Sequence, residues 1–325
     1  MKISVFLTHN QVECWNFLSR HKLALEKKLP DVELTICETK EAFLSSLSMV
    51  EVVFVWSFQQ EWFDMAPKLK WLVTPAAGKD YFQVTPPEGV EIDYCSFHGE
   101  IMAETVLAFV LAHNRGLVQS LEWQKKSLWP RGEVGNPMRA LRNNNVVILG
   151  FGHIGVWIGR LLKPFGVRIT GVNRTNTIAP DYFGPEDQVV TLDGWKKHLT
   201  DCDHLILALP RNSESDNVIN EDVLSRLPER AALHNVGRGN AIDENALAKA
   251  LKHGKLAAAF LDVFQNEPLA ENSPLRDAPH CMIMPHVSAC SPNYLDLFVD
   301  EMVQKISHKY SFGGLKGDSV TDRGF

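Results

Sequence analysis

Two apolar runs of strand character, Val146–Leu149 and Val167–Val172, enclose a helical pattern from Ile154 to Phe165. The turn between the first run and the helix reads Gly150-Phe151-Gly152-His153-Ile154-Gly155. Strand, glycine-rich turn, helix and second strand in that order form a βαβ unit, which commits the chain to a parallel sheet with helices packed on it. Each glycine has its own reason: a tight turn, close backbone approach to a pyrophosphate, and close packing of helix on strand. Amides at the helix start then face the phosphate, where the helix dipole favours negative charge. The same glycines in an isolated turn would say little. Their place between two strands makes a dinucleotide site the reading, with contacts from Gly150, Gly152, His153, Ile154 and Gly155.

The second run ends in Asn173-Arg174-Thr175. A site for NAD usually offers a carboxylate there to hold the ribose hydroxyls. A carboxylate would repel the extra phosphate of NADP, whereas Arg174 can pair with it and Asn173 or Thr175 can hydrogen-bond it. NADP is therefore the favoured cofactor, with NAD as the alternative. A solvated loop arginine would leave the same sequence, and only its position at the strand's carboxyl end speaks against that.

At 325 residues the chain suits two domains. Its formal net charge of −6 comes without a block of like charge, so neither nucleic acid nor an anionic membrane is an expected partner. The six cysteines, Cys14, Cys37, Cys95, Cys202, Cys281 and Cys290, form no CxxC pair and no zinc spacing. Reduced thiols, no metal and a cytoplasmic location are the expectation. The N-terminal apolar run, Ile3–Leu7, is too short for the core of a signal peptide.

Strand-like and helical runs alternate almost throughout, as in an α/β fold with parallel sheets. The first third shows strands at Ile3–Leu7, Val32–Cys37, Val52–Trp56, Trp71–Thr74 and Glu91–Tyr94, with helices at Glu13–Leu29 and Glu41–Leu47. A helix from Glu100 to Arg115 follows, with Ile101, Thr105, Ala108, Phe109 and Ala112 at helical spacing. Leu128–Asn145, rich in Pro, Gly, Asn and Arg, reads as a loop. Later strands are expected at Gln188–Thr191, His204–Ala208, Ala231–Asn235, Ala257–Leu261 and Met282–Met284, and a last helix at Tyr294–Tyr310. That helix comes after the second sheet has used its strands, so the chain is expected to return to the first domain.

Three titratable or charged residues fall at the ends of predicted strands. Arg238 lies in Asn235-Val236-Gly237-Arg238-Gly239, where two glycines leave its backbone unencumbered and its fork free to meet a planar carboxylate. Glu267 lies in Leu261-Asp262-Val263-Phe264-Gln265-Asn266-Glu267-Pro268, and His286 in Met284-Pro285-His286-Val287-Ser288. Each alone could be a solvated or structural residue. In this order behind a dinucleotide motif they form a catalytic set.

From about Gly99 to about Ala289 the chain resembles the D-isomer-specific 2-hydroxyacid dehydrogenases, a family that includes glyoxylate/hydroxypyruvate reductases and phosphoglycerate dehydrogenases. The resemblance runs through Ala103–Ala108, the Gly150–Gly155 fingerprint, Leu209-Pro210, Val218-Ile219-Asn220, Asn235–Gly239, Ile242–Leu247, Leu261–Leu269 and Pro285-His286. It implies two Rossmann-like or flavodoxin-like domains with parallel sheets and an active site in the cleft between them. A dinucleotide-binding domain would span 99–286, and a discontinuous substrate-binding domain 1–98 and 287–325.

The resemblance also implies roles. Arg238 would clamp the substrate carboxylate and the adjacent keto oxygen, and His286 would protonate that oxygen as hydride reaches the carbon. Glu267 would orient His286 and raise its pKa. Leu209, Pro210, Val236 and Asp262 would contact the cofactor, and the Ala76-Ala77-Gly78 loop would hold the substrate carboxylate, with Lys79 beside it. Four departures or open positions stand out: Asn173 in place of the usual acid, Arg211 where a less charged residue is usual, and Trp56 and Trp129 as pocket or packing residues. A homodimer through Gly116–Asn136 is the implied assembly. The reading is an NADPH-preferring reductase of small 2-oxo acids to D-2-hydroxy acids. The alternatives are an NAD-dependent dehydrogenase of a phosphorylated hydroxy acid, or a non-catalytic dinucleotide-sensing protein.

Overall fold

The computed structural model describes residues 1–175 and 178–310. The chain divides into two compact units, one made of Met1–His98 with the segment from Cys290 onward, the other of Gly99–Ala289. Residues 311–325, which the expected boundaries give to the first domain, lie outside the described residues. His286, Val287 and Ser288 all hang by backbone amides from Asp262, so the chain leaves the second unit after Ala289 rather than after His286.

The first unit carries a five-stranded sheet of β1 (Lys2–Phe6), β2 (Glu33–Ile36), β3 (Val52–Val55), β4 (Trp71–Thr74) and β5 (Glu91–Tyr94), in the order β2-β1-β3-β4-β5 and parallel throughout. β3 and β4 are buried at every position, which explains their uninterrupted apolar sequence. The expected helix over Glu13–Leu29 is instead a single 3-10 turn, Glu13–Trp15, and then α1 (Ser19–Lys28). Asn16 breaks it. Its side-chain amide donates to the carbonyls of His9 and Val12 while its oxygen accepts the His9 amide, and Phe17 then bonds back to Leu7. Asparagine competing with the backbone in this way favours turns over helix interiors. Helix α2 (Lys40–Ser46) begins at a Thr39 side-chain cap.

Helix α3 (His98–Asn114) buries Met102, Ala103, Val106, Phe109 and Val110, whereas Ala108 faces outward. With nearly every position from Met102 to Ala112 apolar, spacing alone could not choose the face. The stretch expected to be an unbroken loop holds a short helix, α5 (Arg131–Gly135), preceded by α4 (Leu117–Lys125).

The second unit is built on a seven-stranded parallel sheet. Its strands are β6 (Asn145–Leu149), β7 (Arg168–Asn173), β8 (Gln188–Thr191), β9 (His204–Leu207), β10 (Ala232–Asn235), β11 (Ala258–Leu261) and β12 (Cys281–Ile283), in the order β12-β11-β10-β9-β6-β7-β8. α3 and α6 (His153–Leu162) contribute to the core on one face. α7 (Glu221–Arg226) and α8 (Glu244–Lys252) contribute to the core on the other, each opening on a side-chain cap, from Asn220 and Asp243. Each fully buried aliphatic side chain in these cores contributes about 1.5–3 kcal/mol. The last helix, α9 (Tyr294–Tyr310), returns to the first unit and sets Phe298 edge-on to Phe54 of β3 at 5.1 Å.

Candidate active site

The strand order of the second sheet reverses between β6 and β9. In such a sheet the crevice beyond the carboxyl ends of the two central strands is where a ligand fits, and there the glycine motif lies. Gly150 has φ +87, and a Cβ on it would come within 2.5 Å of the Ala208 carbonyl oxygen at the end of β9. Gly155 packs on the turn itself, where a Cβ would meet the Gly150 carbonyl oxygen at 2.5 Å. Gly152 differs, since a Cβ there would meet nothing within 4 Å among the described residues. The protein's own packing does not demand a glycine at 152, so the opening suits a group from outside. Gly152 is also the N-cap of α6 and offers no side-chain cap, and the first intrahelical bond is Val156 N–H to Gly152 O at 2.9 Å. The amides of the first turn are thus turned outward, a fit to a pyrophosphate.

At the end of β7 the Asn173 side chain is taken up within the loop. Its amide donates to Phe151 O at 3.1 Å and its oxygen accepts the Arg174 amide at 2.7 Å. An aspartate could not make the first of these bonds. Arg174 and Thr175 are left as the exposed groups, and Arg174 Nη1 lies 3.9 Å from Glu214 Oε2. Leu209 is half-buried and Pro210 and Arg211 are exposed, while Val236 is a core residue whose amide bonds to Leu207 O.

Arg238 follows β10. The glycines that flank it serve close approach rather than freedom of the arginine backbone. A Cβ on Gly237 would strike the Leu209 backbone at 2.6 Å, and one on Gly239 would strike the Phe264 carbonyl carbon at 1.8 Å. The loops after β9, β10 and β11 are thereby clamped together. Asn235 shapes the turn between, accepting the Gly237 amide at 3.1 Å and donating to Arg238 O at 3.1 Å. The Arg238 guanidinium donates to Gly237 O at 2.9 Å.

His286 Nδ1 lies 2.8 Å from Glu267 Oε2, and Glu267 Oε1 accepts the Phe264 amide at 2.9 Å. His286, Glu267 and Arg238 thus occupy the loops after three adjacent strands, β12, β11 and β10. Burial is the largest single influence on the Glu267 carboxyl and pushes its pKa up. The His286 hydrogen bond, the Phe264 amide and the Arg238 charge together outweigh it and hold the pKa below the usual value. His286 has φ +55, a region a non-glycine residue enters only when its surroundings hold it there. Asp262 supplies that hold. It is fully buried; its carbonyl accepts the His286 amide at 2.8 Å, and its carboxylate accepts the Val287 and Ser288 amides at 2.7 and 2.9 Å. Thr105 of α3 donates to Ser288 O at 2.9 Å and fixes the loop from the other side.

In the first unit, Ala76-Ala77-Gly78 follow β4. Ala77 is exposed and Gly78 half-buried, while the Ala76 amide is occupied by Thr74 Oγ1 at 3.3 Å. Lys79 is exposed, and its carbonyl accepts the Tyr94 hydroxyl at 3.1 Å. Trp56 is half-buried among Trp15 and Tyr294, with its indole N–H on Trp15 O at 3.2 Å. Trp129 is 87% exposed. Sequence reading missed Asn235, Thr105 and Glu214. Asn235 was legible, an asparagine two residues before a glycine at a strand end. Thr105 and Glu214 reach their partners only through the tertiary fold.

A parallel α/β sheet with a glycine-lined helix start and an Arg-Glu-His set on adjacent strand ends defines a dinucleotide-dependent oxidoreductase. The sequence model for the NAD binding domain of D-isomer specific 2-hydroxyacid dehydrogenases matches residues 107–288. A glyoxylate/hydroxypyruvate reductase B from Pectobacterium atrosepticum is 32% identical over 235 residues, 70% of this chain and 71% of that protein. A glyoxylate reductase from Aeropyrum pernix is 32% identical over 240 residues, 70% of this chain and 69% of that one. A D-isomer specific 2-hydroxyacid dehydrogenase family protein from Aeromonas salmonicida superposes with a TM-score of 0.77 at 27% identity, covering 94% of this chain and 96% of its own. One from Xanthobacter autotrophicus, solved with NADPH and MES, gives 0.76 at 25%, covering 94% of each. The chain belongs to the D-isomer specific 2-hydroxyacid dehydrogenase family, and is an oxidoreductase that uses a nicotinamide dinucleotide and acts on small 2-hydroxy or 2-oxo acids.

Proposed function

We propose that the chain reduces a small 2-oxo acid to the D-2-hydroxy acid with NADPH as the preferred cofactor. The hydrogen bond between His286 Nδ1 and Glu267 Oε2, set one strand from Arg238, is the observation that supports it most. When bound, the nicotinamide supplies the hydride. Arg238 holds the substrate carboxylate and keto oxygen. With Nδ1 committed to Glu267, Nε2 of His286 is the nitrogen that gives its proton to that oxygen as negative charge gathers there. Glu267, fixed at both oxygens, keeps the imidazole oriented. By the family resemblance the amides of Ala77 and Gly78 would add donors for the carboxylate, the Ala76 amide being taken by Thr74 Oγ1. Asp262 positions His286, and by the family resemblance it is also the residue that would contact the nicotinamide amide.

NADPH preference is supported by the absence of a carboxylate at Asn173 and by the exposed Arg174 and Thr175, and glyoxylate or hydroxypyruvate as substrate by the names of the relatives. A homodimer through Gly116–Asn136 is supported by Leu117, Leu121, Leu128 and Trp129, all more than half exposed. The first unit would bind substrate and the second the dinucleotide. The test is oxidation of NADPH and of NADH by the purified protein with glyoxylate, hydroxypyruvate, pyruvate and bulkier 2-oxo acids. Turnover with NADPH well above NADH supports the reading. NADH preference removes the cofactor assignment, and cofactor binding without turnover on any 2-oxo acid removes the catalytic one.

A further inference from the structure

Arg174 does not face open water alone: its guanidinium Nη1 is 3.9 Å from Oε2 of Glu214, with both side chains more than 60% exposed. Glu214 comes from a different βα loop, the one after β9, and its position is not left to a floppy chain. Ser215 beside it is buried and tied reciprocally to Asn212, Ser215 N–H to Asn212 Oδ1 at 2.9 Å and Asn212 N–H to Ser215 Oγ at 3.0 Å. Ser215 Oγ lies a further 2.9 Å from Pro210 O, and Asn240 Nδ2 donates both to Ser215 Oγ at 3.1 Å and to Asp216 Oδ1 at 2.6 Å. This knot fixes the backbone on either side of Glu214, whose exposed carboxylate lies beside the arginine at the end of β7.

We propose that Glu214 is a specificity-determining residue for the cofactor. It is the counter-ion that Arg174 gives up to take the 2′-phosphate, and it thereby holds the preference for NADPH over NADH below what Arg174 alone would confer. The inference rests on the reading that Arg174 meets that phosphate. Two anions then compete for one guanidinium: the phosphate brings about two negative charges and more acceptor oxygens, and the carboxylate is already in place. NADH, with a neutral ribose hydroxyl at that position, leaves the pair intact and is unaffected by it.

The test is a double-mutant cycle on cofactor binding. Dissociation constants for NADPH and NADH are measured for the wild type, Glu214→Gln, Arg174→Ala and the double variant, with thermal midpoints as a folding control. Expected is a tightening of NADPH by about 1.5- to 5-fold in Glu214→Gln, the range set by an exposed ion pair. NADH should be unchanged, and Glu214→Gln should have no effect once Arg174 is Ala. An unchanged NADPH to NADH ratio in Glu214→Gln, with Arg174→Ala still selectively weakening NADPH, overturns the proposal and leaves the reading of Arg174 standing. Equal tightening by Glu214→Gln in both backgrounds also overturns it, because the glutamate then acts on the phosphate and not through the arginine. Equal weakening of both cofactors by Arg174→Ala overturns the Arg174 reading itself, and the proposal with it.

Discussion

Nδ1 of His286 sits 2.8 Å from Oε2 of Glu267, and the other oxygen of that carboxylate is pinned by the Phe264 amide at 2.9 Å. A carboxylate held at both oxygens cannot swing, so the imidazole it faces keeps one orientation. Asp262 fixes the backbone of the same histidine through three amide bonds. Side chain and main chain of His286 are therefore held by two different residues of the loop after β11.

Replacing Glu267 with Gln removes the charge and keeps the shape. Turnover should fall on the order of 10²-fold, the lower end of what a positioned acid contributes, with NADPH affinity unchanged. The same variant has a stability signature. The Glu267 pKa is lowered from its ordinary 4.5, so its charge stabilises the fold above that value and the contribution is lost as pH falls through the lower folded pKa. The gap in melting temperature between wild type and Glu267→Gln should therefore be open at neutral pH and close in strong acid. A gap that does not change with pH would show that the charge of Glu267 plays no part.

The glycines separate into two kinds. Gly239→Ala puts a Cβ 1.8 Å from the Phe264 carbonyl carbon and should destabilise the second unit by several kcal/mol or prevent folding, since only backbone movement relieves the clash. Gly152→Ala meets no atom of the described residues within 4 Å. It should leave the melting temperature near wild type and weaken both NADPH and NADH, because the added methyl intrudes where the pyrophosphate approaches. Urea denaturation paired with cofactor titration distinguishes them, and a Gly152→Ala variant with normal cofactor affinity would remove that glycine from the site.

Much of this was legible in the sequence, and the reasons differ by region. The βαβ unit around Gly150–Gly155 could be read because its glycines lie between two strand-like runs, and strands such as β3 and β11 because burial at every position leaves them continuously apolar. The helix break at Asn16 could not be read, because it depends on His9 being close by in the fold. Nor could the buried face of α3, whose apolar positions ring the helix. Arg238, Glu267 and His286 were visible as residue types at strand ends. That Gly237 and Gly239 clamp neighbouring loops, and that Asp262 and Thr105 hold the His286 loop, required the strand order that brings β9 to β12 side by side.

Away from the site, the second sheet buries two histidines in contact. His204 Nδ1 and His234 Nε2 are 3.1 Å apart, the outer nitrogens of both rings are buried without a partner among the described residues, and His234 stacks on Phe260 at 5.2 Å. Desolvation pushes the His204 pKa down to about 3 and that of His234 well below 6.5. The unfolded chain takes up protons as pH falls below 6.5 and the folded chain does not, so stability present above 6.5 is lost progressively in acid. Each imidazole kept neutral contributes a slope of up to about 1.4 kcal/mol per pH unit. A His204→Leu/His234→Leu variant, which removes both partners together, should show a flatter decline in urea midpoint between neutral and acid pH. A slope equal to wild type would place the acid sensitivity elsewhere.

The most direct test of the account is the His286→Gln variant, assayed for NADPH oxidation with glyoxylate and hydroxypyruvate and, separately, for NADPH binding. If Nε2 of His286 delivers the proton to the keto oxygen, turnover falls by about 10²-fold or more while NADPH binds as in the wild type. Near-normal turnover in a folded, cofactor-binding variant would contradict the role assigned to His286, and with it the purpose of the Glu267 and Asp262 bonds that hold it.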